Sequence, residues 1–572
     1  MSLVKLGSNL SPRPRLFRLR LWPSLLLALT VVLATPIFVV LSSVFFPAGD
    51  IWTHLLDTVL LRYVRNSFTL MVGVSFGVLA LGILPAWLVT AYRFPGSKIF
   101  EWALLLPLAI PAYIIAYTYT GMLDVAGPLQ YWLRDIFGWR YGDYWFPEIR
   151  SLGGAVAMFS LVFYPYVYLL ARAAFAEQSG SVVEVARSLG CSQRSAFLRV
   201  ALPLARPAIV VGLSITLMET LADYGTVQYF GISTFTTGIY RTWNGLGSSV
   251  AAAQLATLLL SFVFVLVLIE AWSRKQSRFY NTGARARPNS SQPLHGSLLL
   301  LAYLACGLPV VLGFIVPFLQ LLYWASLTFD SIMTSDFLGY LFNSVALATI
   351  TAFIALALAL FIAYCRRLFP SRLALVSSRV LGLGYALPGT VVAIGVLVPF
   401  AFLDNKVSAF MVARFDYNTG LLLSGTVFIL VFAYLVRFLP IALNTVDAGL
   451  AKVRPSMDEA GRSMGLSPLQ MMRRVHVPIM RGSLATALLL VFVDVLKELP
   501  ATLLLRPFNF NTLAIRTFEL ANEERLADAA GPALAIVLAS LIPVILLSRS
   551  LRQPSNTASK KASQGANSAK AD

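Results

Sequence analysis

Residues 184–203 read EVARSLGCSQRSAFLRVALP, and residues 459–478 read EAGRSMGLSPLQMMRRVHVP. In both stretches a Glu precedes a Gly by six residues, and that Gly precedes a Pro by 13 residues, so the copies lie in register 275 residues apart. Each stretch is polar and basic and lies between long apolar runs. This pattern indicates a membrane protein built from two equivalent halves, each of which carries one polar island.

The composition of the chain supports a membrane protein. Of its 572 residues, 58% are hydrophobic and only 12% are charged, which is too little polar surface to cover a soluble globule. The net charge of +19 would suggest a nucleic-acid partner in a soluble protein, but in a membrane protein basic residues mark cytoplasmic loops. We therefore expect the bilayer, and no nucleic acid, as the surroundings of the chain.

Apolar runs predict twelve membrane spans, six in each half, because a helix needs about 20 apolar residues to cross a bilayer. The predicted runs are 25–46, 67–92, 102–123, 151–171, 207–230, 250–269, 298–329, 343–365, 380–403, 419–436, 482–505 and 529–548. The sequence thus predicts an all-α polytopic fold of two parallel six-helix repeats.

Lys and Arg residues concentrate on one side of this arrangement. With the N-terminus in the cytoplasm, 33 of the 45 basic residues fall in cytoplasmic segments. The positive-inside rule therefore places both termini and both islands in the cytoplasm. It predicts a basic N-terminus (1–23), a first repeat (24–272), a linker (273–296), a second repeat (297–549) and a disordered tail (550–572).

Each island has the signals of two short helices joined by a glycine turn. Ser192 is placed to cap a helix after Gly190, and Ser467 with Pro468 supplies a cap and first turn after Gly465. For a single copy, an amphipathic loop lying on the membrane surface is an equally good interpretation. Two copies in the same register favour a paired device on the cytoplasmic face.

The islands resemble the EAA loops of inner-membrane permeases in binding-protein-dependent ABC importers. The matching positions are Glu184, Ala186, Gly190 and Pro203 in the first copy and Glu459, Ala460, Gly465 and Pro478 in the second. The family's Glu-Ala-Ala stands as Glu-Val-Ala in the first copy and as Glu-Ala-Gly in the second.

The resemblance implies a type I importer permease in the bacterial inner membrane. Each loop would dock into one of two copies of an ABC ATPase subunit, and an external solute-binding protein would deliver the cargo. The sequence has no G-x-x-x-x-G-K-[ST] phosphate loop and no catalytic cluster, so we expect a non-enzymatic chain without a bound cofactor or metal. ATP would be hydrolysed by the partner.

Acidic residues recur inside the fifth and eleventh spans. Glu219 and Asp223 match Asp494 and Glu498 at the offset of 275. Carboxylates at such depth usually face a cavity or a partner, and a spacing of four predicts that each pair shares one helix face. We expect these four residues and Tyr224 to line the translocation pathway or its gate. The alternative is structural: Lys497 pairs with Asp494, and the first pair binds backbone or Tyr224.

The cargo is the least determined property. The run METLADYGTVQYFG (218–231), continued by FTTGIYRTW (235–243), resembles the ferric-iron class of these permeases. Thiamine and polyamine permeases of the same superfamily remain alternatives. A proton-coupled secondary carrier with parallel six-span halves is the alternative from a different class.

Overall fold

The computed structural model describes residues 14–177, 190, 192–276, 292–329 and 334–550. Its α-helices are Pro14–Ser42, Asp50–Leu55, Leu61–Ala91, Ser97–Ala103, Ala112–Leu123, Pro128–Phe137, Leu152–Glu177, Gln193–Ala196, Leu202–Ala222, Gly225–Tyr229, Phe235–Asn244, Ser249–Gln276, Ser297–Val310, Val316–Leu327, Ser335–Leu368, Arg372–Gly382, Gly389–Phe415, Val427–Leu450, Pro455–Ser463, Pro468–Met471, Val477–Leu496, Pro500–Leu505, Leu513–Asn522 and Leu526–Ser550.

Shorter elements connect or extend these helices. The 3₁₀ turns are Ser43–Phe45, Leu106–Ala109 and Leu383–Ala386, and the π-helical turns are Leu56–Leu60, Phe197–Ala201, Val311–Ile315 and Met472–His476. Two short strands, Tyr92–Arg93 and Gln292–Pro293, pair in parallel. The strand pair joins the segment between the second and third spans to the segment that enters the second repeat.

Twelve segments fit the prediction of twelve spans. In the described part of the chain, eleven helices are long and apolar enough to cross a membrane, and a pair of helices bent by 89° makes the twelfth. We number them span 1 to span 12: Trp22–Phe45, Asp50–Ala91, Ser97–Ala109 with Ala112–Phe137, Leu152–Ala176, Phe197–Ala222, Ser249–Ser273, Ser297–Leu327, Ser335–Leu368, Gly389–Phe415, Val427–Leu450, Pro468–Leu496 and Leu526–Leu546. The all-α fold with two six-span repeats is confirmed.

Spans 3 and 9 differ from the uninterrupted runs that we predicted, 102–123 and 380–403. In both, a 3₁₀ turn is followed by a residue before proline, Ile110 or Leu387, whose backbone is extended (ψ 117° and 125°). Proline disfavours the helical conformation of the preceding residue. The helix therefore breaks and restarts after Pro111 and after Pro388.

The second helix of each island continues directly into a span. Pro203 and Pro478, the last matching positions of the two islands, lie inside continuous helical segments. A π-helical turn precedes each proline, Phe197–Ala201 and Met472–His476, again 275 residues apart. Proline removes one backbone donor and crowds the preceding turn, and a π-helical turn accommodates both effects.

The first span of each repeat packs against the other repeat. Span 1 packs on the second repeat, where Trp22 stacks on Phe361 at a ring-centroid distance of 5.5 Å and Leu26 joins that repeat's core. Span 7 packs on the first repeat, where the carbonyl of Leu312 accepts a hydrogen bond from the Tyr119 hydroxyl at 2.6 Å. The two repeats therefore form one interleaved bundle.

Candidate functional site

A cavity at the interface of the repeats collects all four predicted carboxylates. Its lining includes Glu219 and Asp223 from the first repeat and Asp494 and Glu498 from the second. The cavity has a volume of about 100 Å³. The duplicated acidic positions thus face each other across the centre of the molecule.

Each carboxylate pair straddles the end of a helix instead of sharing one helix face, which corrects our prediction. Spans 5 and 11 end at Ala222 and Leu496, so Asp223 and Glu498 lie just beyond them. A carboxylate oxygen of Asp223 accepts hydrogen bonds from the backbone N–H of Thr226 at 2.9 Å and of Val227 at 3.3 Å.

Glu498 has the equivalent position in the second repeat and makes the equivalent bond. Its Oε1 accepts a hydrogen bond from the backbone N–H of Ala501 at 3.1 Å. Side-chain acceptors at these positions satisfy the free N–H groups at the start of a helix. Both carboxylates therefore open the short helices that follow the spans, Gly225–Tyr229 and Pro500–Leu505.

Two basic side chains lie in the same cavity, and both come from the second repeat. Arg437 Nη1 contacts Glu498 Oε1 at 2.8 Å, and Lys497 Nζ contacts Asp494 Oδ1 at 2.7 Å. The ion pair of Lys497 with Asp494 and the backbone bonds of Asp223 agree with the structural alternative. Because the same groups line the cavity, the structural and the pathway interpretations are compatible.

Phenol groups complete the polar lining. Tyr385 from the second repeat lies beside Glu219 and Tyr166 of the first repeat, and all three line the cavity. Tyr113 also lines the cavity. Hydroxyl and carboxylate oxygens of both repeats therefore converge on one space.

Tyr224, which we predicted beside the pathway, is buried but is not among the residues that line the cavity. Its ring packs against Tyr240 at 4.9 Å and against Phe518 of the second repeat at 6.0 Å. The position that matches Tyr224 at the repeat offset is Leu499, which belongs to the core of the first repeat. Tyr224 and Leu499, which directly follow the capping carboxylates Asp223 and Glu498, therefore each pack against the other repeat.

Arg437 and Tyr113 are the lining residues that sequence reasoning missed. We ended span 10 at residue 436 and counted Arg437 as cytoplasmic, whereas the helix runs over Val427–Leu450 and buries the arginine. The internal repeat could have revealed that Arg437 lies inside a span. The offset that aligns Pro165 with Pro440 also aligns Arg437 with Val162, which lies inside the predicted run 151–171. Tyr113 has no comparable signal, because tyrosine is common in apolar spans.

The second island folds as the predicted helix, glycine turn and helix. Helix Pro455–Ser463 is followed by Gly465, whose φ of +77° is left-handed, and Ser467 then caps the next helix by accepting a hydrogen bond from the Gln470 N–H. Glu459, Ala460 and Pro478 are exposed. The island therefore presents its matching positions outward.

The first island is described from Gly190 onward, apart from residue 191. Gly190 has a φ of +85°, and Ser192 Oγ accepts a hydrogen bond from the Ser195 N–H at 3.3 Å, as the capping prediction requires. A Cβ added at Gly190 or at Gly465 would meet no atom within 4 Å. Pro203 is exposed, and Glu184 and Ala186 lie outside the described residues.

An ion-pair network fixes the second island to span 8. Asp458 accepts hydrogen bonds from Arg367 Nε at 2.8 Å and bonds His476 Nε2 at 2.7 Å, while Arg367 also donates to the carbonyl of Val453 at 3.0 Å. Partial burial acts to raise the pKa of Asp458, but the bonds from Arg367 and His476 outweigh it and hold that pKa below its usual value. The island is thus anchored by charge.

Among the described residues, no group of three or more His, Cys, Asp and Glu side chains is arranged to hold a metal ion.

Comparison with known proteins identifies a family. The model of the family described as "binding-protein-dependent transport system inner membrane component" matches residues 78–275 and 355–553, one match in each repeat. The chain is 28% identical to the Fe(3+)-transport system permease protein FbpB 2 of Haemophilus influenzae, over 85% of this chain and 89% of that protein. It is 23% identical to the probable ABC transporter permease protein y4fN of Sinorhizobium fredii, over 93% and 96% of the two chains.

Shorter relatives match only part of the chain. The molybdenum transport system permease protein ModB of Escherichia coli is 26% identical over 35% of this chain and 87% of its own length. Two matches to one family model and a short relative that covers about a third of the chain both agree with an internally duplicated permease.

Proposed function

Because the chain belongs to the family of inner-membrane components of binding-protein-dependent transport systems, we propose that it forms the membrane pathway of an ATP-driven importer of ferric iron. An extracytoplasmic solute-binding protein delivers the iron, and the bundle alternates between outward-open and inward-open states. Both termini and both islands face the cytoplasm. ATP is hydrolysed by separate subunits, so this chain is not itself an enzyme.

The cavity between the repeats is the observation that carries the cargo assignment. Four carboxylates and two basic groups line it, so its formal charge is negative when all are ionised. Such a space attracts a cation and repels sulfate or molybdate. Two relatives that cover most of the chain are named as ferric permeases, which supports iron over thiamine and polyamines.

The paired glycine turns support coupling to two ATPase subunits. Gly190 and Gly465 have matching left-handed backbones, and the space around each is open in the described structure. Two equivalent exposed turns fit two equivalent partner clefts, one for each subunit. A proton-coupled carrier does not require such a pair.

The test is radiolabelled ferric-iron uptake by cells that express the chain with its neighbouring transport components. Gly190 and Gly465 are both changed to Trp, which fills the open space, and in a matched variant both are changed to Asn, which tolerates the left-handed backbone. We expect uptake to be lost with Trp and largely kept with Asn at equal protein levels. Absence of iron uptake in iron-starved wild-type cells would contradict the cargo, and full uptake by the Trp variant would contradict the coupling role.

A further inference from the structure

The charges in the cavity are distributed unequally between the repeats. Asp494 and Glu498 each have a basic partner, Lys497 and Arg437, at salt-bridge distance. The positions that match these two cations in the first repeat are Ala222 and Val162. Within the described residues, no salt bridge to Glu219 or Asp223 is found, and Lys497 and Arg437 attract Glu219 only from a greater distance.

A buried phenol lies near Asp223. Tyr113 is 5% exposed, lines the cavity, and its hydroxyl has no hydrogen-bond partner among the described residues. The carboxylates that act on it electrostatically are Glu498 and Asp223. A buried hydroxyl without a partner is costly, because it has lost its bonds to water. Such a group in a charged cavity is an available oxygen ligand.

We propose that the first repeat alone forms the cation-receiving side of the cavity, with Glu219, Asp223 and Tyr113 as the oxygen ligands that hold the ferric ion in transit. This inference rests on the proposed function and assigns the residues that would contact the cargo. The second repeat, already neutralised by Lys497 and Arg437, completes the cavity without competing for the ion.

Ligand chemistry supports this assignment. Ferric ion is a hard cation that favours anionic oxygen donors, and two carboxylates with one phenolate supply three negative charges. On coordination the Tyr113 hydroxyl releases its proton to water in the cavity. Three protein ligands leave further coordination positions to water, and incomplete coordination suits transport because the ion must also leave.

The size of the cavity points in the same direction. Pockets for drug-sized ligands begin at about 300 Å³, whereas this cavity measures about 100 Å³. It has room for an ion with several water molecules. The conformation described here therefore fits a bare or hydrated ion.

The experiment uses the full chain in lipid nanodiscs and Fe³⁺ supplied as its nitrilotriacetate complex. Phenolate bound to Fe³⁺ gives a charge-transfer absorption band in the visible range, which reports a tyrosine ligand directly. We expect the band in the wild type and its loss in Tyr113→Phe. The matched control is Tyr164→Phe, which removes another fully buried hydroxyl without a partner that does not line the cavity, and we expect it to keep the band.

The carboxylates are tested in the same preparation. We expect Glu219→Gln/Asp223→Asn, which keeps the capping oxygen of residue 223, to bind iron about tenfold or more weakly. The control is Asp404→Asn, because Asp404 is a buried carboxylate that likewise accepts backbone hydrogen bonds, from Leu423 and Ser424, away from the cavity. We expect the affinity of this control to equal that of the wild type.

The outcomes separate this inference from the proposed function. Equal bands in Tyr113→Phe and the wild type, or no band in a wild type that imports iron, would overturn the ligand assignment and leave the importer standing. Equal affinity in the double carboxylate variant would do the same. Failure of wild-type cells to import iron would overturn the proposed function itself.

Discussion

Arg437 is the residue on which the second half of the cavity depends. The residue is only 7% exposed, and its guanidinium contacts Glu498 at 2.8 Å. Removing one partner of a buried ion pair leaves the other charge without compensation, which costs about 3–5 kcal/mol. We therefore predict that Arg437→Met destabilises the protein strongly, as measured by its thermal unfolding in detergent.

A double variant separates the effect of the lost charge of Arg437 from the effect of its lost packing. Adding Glu498→Gln to Arg437→Met removes the uncompensated charge while an oxygen remains to accept the Ala501 N–H bond, so we expect much of the stability to return. Equal stability of the single and double variants would show that the lost packing of Arg437, and not its charge, is responsible.

Gly461 explains how the second island departs from the Glu-Ala-Ala pattern. A Cβ at this buried position would collide with the thioether end of Met471. In the first repeat Ala186 matches Gly461, and Ala196 matches Met471. The second island therefore has a smaller residue at the first of these positions and a larger residue at the second. We predict that Gly461→Ala costs about 1 kcal/mol through overpacking.

The compensating change provides the check on Gly461. In Gly461→Ala/Met471→Ala the second island has the same residue pair as the first, and we expect this double variant to show no clash-derived loss of iron uptake. Thermal unfolding and uptake are measured on Gly461→Ala, on Met471→Ala and on the double variant. A double variant that is less stable than the sum of its single changes would refute the idea of a compensating pair.

At the scale of elements, the residues that anchor the second island by charge have apolar counterparts in the sequence of the first island. Asp458 bonds Arg367 and His476, and the residues that match Asp458 and His476 in the first repeat are Val183 and Ala201. There, Trp87 packs on Phe197 at 5.0 Å and on Phe175 at 5.3 Å. One island is therefore held by ionic contacts, and the other lies beside an aromatic cluster.

This difference predicts a pH dependence for one island only. The pKa of Asp458 is lower in the folded protein than its usual value of about 3.9, so its contribution to stability is complete above that value. The contribution is lost as the pH falls below about 4 and through the lowered pKa. We expect acid to release the second island first, as measured by hydrogen exchange of residues 455–476.

Asp458→Asn is the control for the acid response. It removes the titrating group, so the exchange of the second island should become faster at neutral pH and lose its extra sensitivity to acid. Exchange that still accelerates with acid in this variant would assign the response to another group.

The elements also show what local patterns can predict. Apolar runs sufficed for twelve spans. The in-register carboxylates indicated a duplicated polar site, but not that Asp223 and Glu498 lie beyond the ends of spans 5 and 11. The breaks at Pro111 and Pro388 were visible as prolines but not as bends, because proline also occurs inside intact membrane helices such as Leu61–Ala91. The depth of Arg437 was missed because hydropathy alone placed the end of span 10 before a charge.

At the scale of the whole molecule, the exchange of spans 1 and 7 was not predictable from local patterns. Both spans are apolar all round, so nothing in their sequence says which repeat covers them. Their packing follows from long-range contacts, such as the close approach of Gly395 to the backbone of Pro36. Consequently neither repeat has a complete core of its own, and ligand movement between the repeats must proceed without separating them.

A cross-link tests this exchange. We predict that a chain divided between residues 276 and 292, with the native cysteines replaced, forms a disulfide between Trp22→Cys and Phe361→Cys, because these rings stack at 5.5 Å. The bond would join the two fragments on a non-reducing gel. The matched control pairs Trp22→Cys with Leu84→Cys. Spans 2 and 8 align at an offset of 277, because Asn66 matches Asn343, and this offset makes Leu84 the counterpart of Phe361. If span 1 lay on its own repeat, the cysteines introduced at positions 22 and 84 would link within one fragment, and the pair at positions 22 and 361 would leave the two fragments apart.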